Sequence, residues 1–383
     1  MKNKTNLIFL HKLLKAFADS IIKIFIPLYI LKTTNNIKLS FLYLITYTIS
    51  TLIFMFILKR FLQKYGIISI ILHCIPIITT QFLLTFYTIN VLNSIMSGVL
   101  MGLSQTLYSI PLNLIFAFSD KETNVAKFEA ATNVGKILFV LLSGFLISST
   151  IKNSFLYLSI LASLFYISCV IPILYSYNLL KNNYNLINKQ KKLDISKKDY
   201  LYFNIFHIVF GSFQSTMDNV LPLYLYINNL SFESVSIIIV LIELCKILAN
   251  YFAKYLTSKN KYLICTILSF GVFLISSILI LIFKNAVVLY ILSCLISVTF
   301  PLTFVPMFKF FCKKISADNY IFDGMTNRDI YIFIGKIPLY SCYFVIPSMY
   351  SCFAIGIVSS IIMFYNEYKI TTPISKNNDS LKS

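Results

Sequence analysis

Apolar runs of about twenty residues follow one another along the chain, separated by short segments carrying Lys, Asn, Gly or Pro. A helix of roughly 20 residues crosses the ~30 Å hydrocarbon core of a bilayer, so each run reads as one span. The runs fall near residues 12–31, 39–58, 67–88, 92–118, 128–150, 154–176, 200–227, 233–256, 261–283, 286–308, 329–346 and 350–366, twelve in all. The tenth, with Pro301 and Pro306, and the eleventh, with Pro338 and Pro347, are expected to be bent or broken. Composition excludes a water-exposed globule. The 383 residues are 58% hydrophobic and 12% charged, with a mean hydropathy of +0.79, against about 25% charged in an ordinary soluble domain. The fold class is therefore an all-α integral membrane protein whose environment is the lipid bilayer.

The charge balance, 33 Lys and Arg against 14 Asp and Glu, would suggest nucleic acid in a soluble protein. Here the basic residues lie between apolar runs and act as topology signals, so no nucleic-acid partner is expected. Of these residues, 25 fall in one alternating set of connections and termini, whereas the opposite set holds only Lys32, Lys38, Lys152 and Lys284. The positive-inside rule then puts both termini in the cytoplasm of a multi-pass protein. The scarcity of Arg (Arg60 and Arg328 only) beside abundant Lys, Asn and Ile points to a bacterial cytoplasmic membrane. The four remaining lysines, Lys23, Lys136, Lys246 and Lys336, lie inside spans.

Several chemistries lack their material. The eight cysteines are scattered, with no CxxC pair, and His73–Cys74 stands without further ligands in sequence, so neither a disulfide framework nor a metal site is expected. Ten glycines form no phosphate-cradling loop, and no nucleotide-binding motif is present, so no cofactor is expected. No DxxD, HxxxxD or Ser/His/Asp grouping supplies a catalytic set. The chain is read as a non-enzyme; the alternative is a membrane-embedded enzyme or flippase acting on a lipid-linked substrate.

The longest polar stretch, residues 177–199, divides the chain into a six-helix half over 1–176 and another over 200–370, followed by a tail over 371–383. The halves repeat. Pro27-Leu28-Tyr29 returns as Pro222-Leu223-Tyr224, His11 as His207, Asn133-Val134-Gly135-Lys136 as Phe333-Ile334-Gly335-Lys336, and Glu129 as Asp329, at offsets of 195 to 200. With FADSIIKIFIPLYIL (17–31), FEAATNVGK (128–136) and RDIYIFIGK (328–336), the chain resembles the major facilitator superfamily over residues 8–366. That resemblance implies twelve transmembrane helices in two parallel six-helix halves joined by a cytoplasmic linker. It also implies secondary transport of a small solute by alternating access. The gating segment between the second and third helices departs from the family: Lys59-Arg60-Phe61-Leu62-Gln63-Lys64-Tyr65-Gly66 keeps the basic charges and lacks the Asp.

An ionised group in mid-bilayer costs about 2.5–3.5 kcal/mol on insertion scales and marks function by default. Lys15, Asp19 and Lys23 recur every four residues in the first helix, where Asp19 can pair with either lysine. Asp19 is the candidate for coupling to a proton. Gln214 and Asp218 form a similar stripe in the seventh helix, and Gln105, Asn113 and Asn133 are candidate cavity hydrogen-bonders. The family fold packs helix 5 on helix 8, so Lys136 is expected to form an inter-half ion pair with Glu243, itself near Lys246. Lys336 should face Thr46, Tyr47 and Thr48 on helix 2. Arg60, Lys64, Glu129, Arg328 and Asp329 are gate candidates at the cytoplasmic ends, with Glu129 and Asp329 also serving as helix caps. The stripe Ser94, Gly98, Gly102, Thr106 reads as a packing face. A monomer is expected.

Overall fold

A computed structural model of the protein describes residues 2–117, 122–148, 153–188, 200–259, 261–317 and 321–380. Among these residues there is no strand, and twelve helical spans follow one another. We number them α1, broken into Lys2–Ile21 and Ile26–Thr34; α2, Ile37–Ile57; α3, broken into Lys59–Leu72 and Cys74–Phe86; and α4, Val91–Ala117. Next come α5, Glu122–Ser148; α6, Ser154–Asn188; α7, broken into Leu201–Ser215 and Leu221–Ile227; and α8, Phe232–Ser258. Last are α9, Tyr262–Ile282; α10, Ala286–Ala317; α11, Ile321–Val345; and α12, Met349–Ser380. The face at which α1 begins and α12 ends is called the termini face below; the other is the far face.

The breaks differ from those expected. Pro301 and Pro306 lie inside an uninterrupted α10, and Pro338 inside an uninterrupted α11. The interruptions fall instead in α1 and α7, at equivalent positions of the two halves. A 3-10 turn over Lys23–Phe25 precedes Pro27, and a π segment over Thr216–Val220 precedes Pro222. Each proline opens the following helical piece, where its missing N–H is no loss. Its ring would collide with the carbonyl of the residue four earlier, and in both halves that residue is charged: Lys23 and Asp218. The third break, at His73, bends α3 by 42°, and Tyr65 is non-helical within its first piece. α3 thus starts at Lys59, eight residues before the expected position, because the polar segment before the apolar run is itself helical. The same holds for α6, which runs to Asn188 rather than ending at 176, and for α12, which runs to Ser380 rather than 366. The rest of the expected linker, 189–199, lies outside the described residues.

Among the described residues six helices are long and apolar enough to cross a membrane, seven with the bent α3. Of the others, α1, α7, α8 and α11 carry intramembrane charges or a break, and α5 contributes the shorter apolar stretch Thr132–Ser148. α6 shows how a lipid-facing helix is built. Tyr157, Ile160, Leu164, Ile167, Ile171 and Leu174 are exposed, while Leu158, Ala162, Tyr166, Cys169 and Ile173 on the other side are buried. That is the three- and four-residue spacing of a single helix face.

Packing follows the repeat. α1 lies against α5 and α6, as α7 does against α11 and α12; α2 lies against α4, as α8 does against α10. The halves meet through α5–α8 and α2–α11, equivalent pairs under a shift of six helices. Small residues make these contacts close. A Cβ on Gly144 of α5 would stand 1.7 Å from Ser236 Oγ of α8, and on Gly98 and Gly102 of α4, 2.9 and 2.7 Å from side-chain atoms of α2.

Candidate functional site: a charged cavity between the halves

A cavity of 310 Å³ lies in the middle of the bundle, walled by α1 and α4 of one half and by α7, α10 and α11 of the other. α1 supplies Lys12, Lys15, Asp19 and Lys23; α4 supplies Gln105, Tyr108 and Asn113; α7 supplies Gln214. α10 and α11 add Phe304, Phe308, Arg328, Asp329, Phe333 and Lys336. The four-residue stripe of α1 therefore faces inward over three turns.

Asp19 is paired with Lys15, at 2.5 Å, and not with Lys23. Its other oxygen accepts a hydrogen bond from Tyr166 of α6 at 2.6 Å, and the Lys15 ammonium also lies 4.2 Å from the centre of the Tyr108 ring. Lys23, at the 3-10 turn, donates to Gln105 Oε1 at 3.1 Å. On the opposite wall Arg328 lies 3.3 Å from Asp329 and 4.8 Å above the Phe308 ring. Asn113 of α4 donates across the boundary between the halves to Asp329 at 3.0 Å. Lys336 sits 4.4 Å above the Phe333 ring, and Phe333 meets Tyr47 of α2 edge-on at 5.8 Å.

A second charged cluster lies beside this cavity. Lys136 Nζ of α5 is 3.4 Å from both Glu243 oxygens of α8; Glu243 Oε1 is 3.1 Å from Lys246, and Lys246 is 3.5 Å from Asp218. The arrangement is a four-membered alternating chain rather than an isolated Lys136–Glu243 pair, and the π segment of α7 is what brings Asp218 to it.

The halves also touch at both ends. At the termini face Lys59, the first residue of α3, makes a 2.7 Å ion pair with Asp323 in the first turn of α11. At the far face Phe41 of α2 stacks on Tyr343 of α11 at 4.3 Å, Ser148 of α5 donates to Glu233 of α8 at 2.6 Å, and Lys32 lies over the Phe232 ring.

Several expectations about placement change. Arg328 and Asp329 are not at a helix end: α11 begins at Ile321, so both lie two turns inside, buried, on the cavity wall. The cap role expected of Asp329 is thereby removed. Arg60 and Lys64 are exposed, and it is their neighbour Lys59 that reaches the other half. The acid missing from the gating segment comes from Asp323, which the sequence reading assigned to a connection. Asp218 joins the ion chain and not the cavity wall, and Asn133 is buried outside that wall. The side chain of Glu129 lies outside the described residues. Tyr166 and Tyr108 went unnoticed because a tyrosine in an apolar run carries no signal beyond hydrophobicity. Cys169 joins His73 and Cys74, so that one ligand atom from each lies within 4.8 Å of the others. All three are occupied: His73 Nδ1 is bonded to the Ile70 carbonyl, and both thiols donate to the Tyr166 carbonyl at 3.1 Å. They read as packing groups.

Comparison with known proteins agrees with this architecture. The sequence profile of the Major Facilitator Superfamily matches residues 8–320. In shape the chain is similar to a bacterial homologue of the iron transporter ferroportin in its outward-facing state with soaked iron, with a TM-score of 0.69 and 13% identity over 96% of this chain and 99% of that one. The inward-facing state of such a homologue gives a TM-score of 0.62, at 13% identity over 97% and 99%. A D-xylose-proton symporter gives 0.63, again at 13% identity, over 94% and 96%. Identities this low speak for the fold alone. No curated protein matches the chain by sequence. With the profile covering most of its length and two six-helix halves enclosing a cavity, the chain belongs to the Major Facilitator Superfamily and is a multi-pass secondary transporter rather than an enzyme.

Proposed function

We propose that this transporter carries a small solute across the bacterial cytoplasmic membrane by alternating access, working as a monomer with both termini in the cytoplasm and a proton as coupling ion. The observation that carries the proposal is the central cavity, to which both halves contribute polar and charged groups. Such a site can be exposed first to one face and then to the other when the halves rock. Inter-half contacts at each end, Lys59–Asp323 and Phe41–Tyr343, are the closures that such rocking must break in turn. The chain Lys136–Glu243–Lys246–Asp218 is proposed as a shared hinge, since it joins α5 to α7 and α8 beside the cavity. Coupling is assigned to Asp19, whose carboxylate opens onto the same cavity and is held by Lys15 and Tyr166; a proton on it would release Lys15 toward the solute.

Purified protein in liposomes tests the first reading: solute flux without covalent change is expected, and conversion of a lipid-linked substrate would favour the enzyme alternative. Asp19→Asn tests the second. The variant should lose the pH dependence of uptake, and an unchanged dependence removes Asp19 from coupling.

A further inference from the structure

The cavity is unevenly charged. Its wall holds five cations, Lys12, Lys15, Lys23, Arg328 and Lys336, and two carboxylates, Asp19 and Asp329. Both carboxylates are already engaged, Asp19 by Lys15 and Asp329 by Arg328. Lys23 and Lys336 make no ion pair with a described residue: Lys23 bonds a neutral amide, and Lys336 lies over an aromatic ring. They line the cavity from opposite halves, Lys23 on α1 and Lys336 on α11; each lies within electrostatic reach of the other, and the nearest carboxylates, Asp19 for Lys23 and Asp218 and Asp329 for Lys336, act on them without a direct ion pair. Two ammonium groups without a direct ion-pair partner are expensive inside a bilayer, and two on opposite walls of a closing cleft oppose its closure. An anion between them removes both penalties at once.

The remaining wall defines what the anion is attached to. Tyr108, Phe304, Phe308 and Phe333 supply aromatic surface. The cavity, at 310 Å³, is about twice the ~150 Å³ space that takes up one benzene; it has room for a ring with a headgroup.

We infer that the solute is a small organic anion, a carboxylate or phosphate on a compact apolar or aromatic body, whose headgroup bridges Lys23 and Lys336 across the two halves. The inference rests on the transport reading above and adds its substrate class. Binding of the anion supplies the negative charge that the cavity lacks and draws the halves together. A neutral or cationic solute of the same shape leaves the two ammonium groups opposed.

The test uses the full chain purified in detergent and probes that share a ring and differ in head: benzoate, phenyl phosphate, benzyl alcohol and benzylamine, with inorganic phosphate as a head lacking the body. Saturable thermal stabilisation reports binding. Benzoate or phenyl phosphate is expected to stabilise the protein at millimolar concentration, and benzyl alcohol and benzylamine are not. Stabilisation by inorganic phosphate as strong as by phenyl phosphate would remove the apolar body from the inference. Lys336→Gln and Lys23→Gln should each weaken the anion by about tenfold or more, whereas Lys23→Arg should retain it. Melting points of the unliganded variants are measured alongside, and removal of an unpaired ammonium should not lower them. Stabilisation by the alcohol or amine equal to that by the anions, no response to any anion, or an unchanged anion affinity in both Lys→Gln variants overturns the inference. Failure here is separable from failure of the transport reading, because liposome flux of a neutral or cationic solute would leave the carrier intact while refuting the anion.

Discussion

Glu243 is the residue on which most electrostatic compensation converges. It is 3% exposed and lies between two ammonium groups, Lys136 at 3.4 Å and Lys246 at 3.1 Å. Removing one partner of a buried ion pair costs about 3–5 kcal/mol, because a charge is left uncompensated. Glu243→Gln leaves two lysines beside each other with only Asp218 near them, and is expected to lower the melting temperature of the purified protein sharply. Lys136→Met should be mild, about 1 kcal/mol or less, since the Lys136 side chain is 27% exposed and its loss leaves Glu243 paired with Lys246. Equal losses from both variants would contradict the chain described here. It also follows that exchanging Lys136 and Glu243 cannot cleanly restore function, as a lysine at 243 meets Lys246. The Lys136–Glu243 contact was legible in the sequence through the family arrangement of helices 5 and 8. The role of Lys246 as a link to Asp218 was not, because the π segment that turns Asp218 toward α8 shifts the register of α7, and nothing in the residue types announces that shift.

At the scale of elements, the broken and the close-packed helices carry different lessons. Eight spans hold proline, yet those broken shortly before one are α1, α3 and α7, where Pro27, Pro76 and Pro222 sit in the first turn of a new helical piece. Pro111, Pro172, Pro301, Pro306, Pro338 and Pro373 are absorbed by long helices. Proline content alone therefore misplaced the breaks, while the repeated Pro-Leu-Tyr triplet marks equivalent positions of the two halves without announcing a break. Close packing was readable in part. The Gly98–Gly102 stripe of α4 does meet α2, but the more demanding contacts are Gly211 and Gly335, which lay unremarked as packing sites. A Cβ on Gly211 would stand 1.9 Å from the Ile332 carbonyl oxygen, and one on Gly335 1.7 Å from that of Ile208. α7 and α11 thus touch backbone to backbone one residue from Lys336 of the cavity wall. Gly211→Ala or Gly335→Ala must push the helices apart, with an expected loss of about 1–3 kcal/mol and a fall in transport. Gly271 on α9 has nothing within 4 Å of its would-be Cβ, so Gly271→Ala should be neutral or stabilise by about 0.5–1 kcal/mol. Melting curves of the three variants check the order, and a Gly211→Ala protein as stable as Gly271→Ala would refute the contact.

The whole molecule explains why the fold was easier to find in the sequence than the site. Lipid-facing surface is written in runs of apolar residues at helical spacing, as on α6, and twelve such runs with a central polar break give the architecture. The site depends on which turn of each charged helix faces inward, and that is settled by breaks and by neighbours on the other half. The two closures obey the same division. Lys59 and Asp323 have side chains 39% and 22% exposed, so their ion pair contributes about 0.2–1 kcal/mol, enough to bias the termini face without locking it. Phe41 is fully buried and stacked on Tyr343, and deleting a buried Phe side chain typically loses about 3–5 kcal/mol. That loss is one of fold stability; as a closure the far-face contact differs from the ion pair in being apolar and shielded from water. Lys59→Ala should shift the balance toward opening at the termini face by at most about fivefold, and Lys59→Asp with Asp323→Lys should restore it. Phe41→Ala should lower the melting temperature of the purified protein well beyond the effect of Lys59→Ala. Spin labels on Cys substituted for the exposed Arg60 and Ser316, with the native thiols replaced by alanine, report the termini face as a distance distribution. A Lys59→Ala distribution identical to that of the parent, or a double variant that stays open, would show that this pair does not hold the halves together.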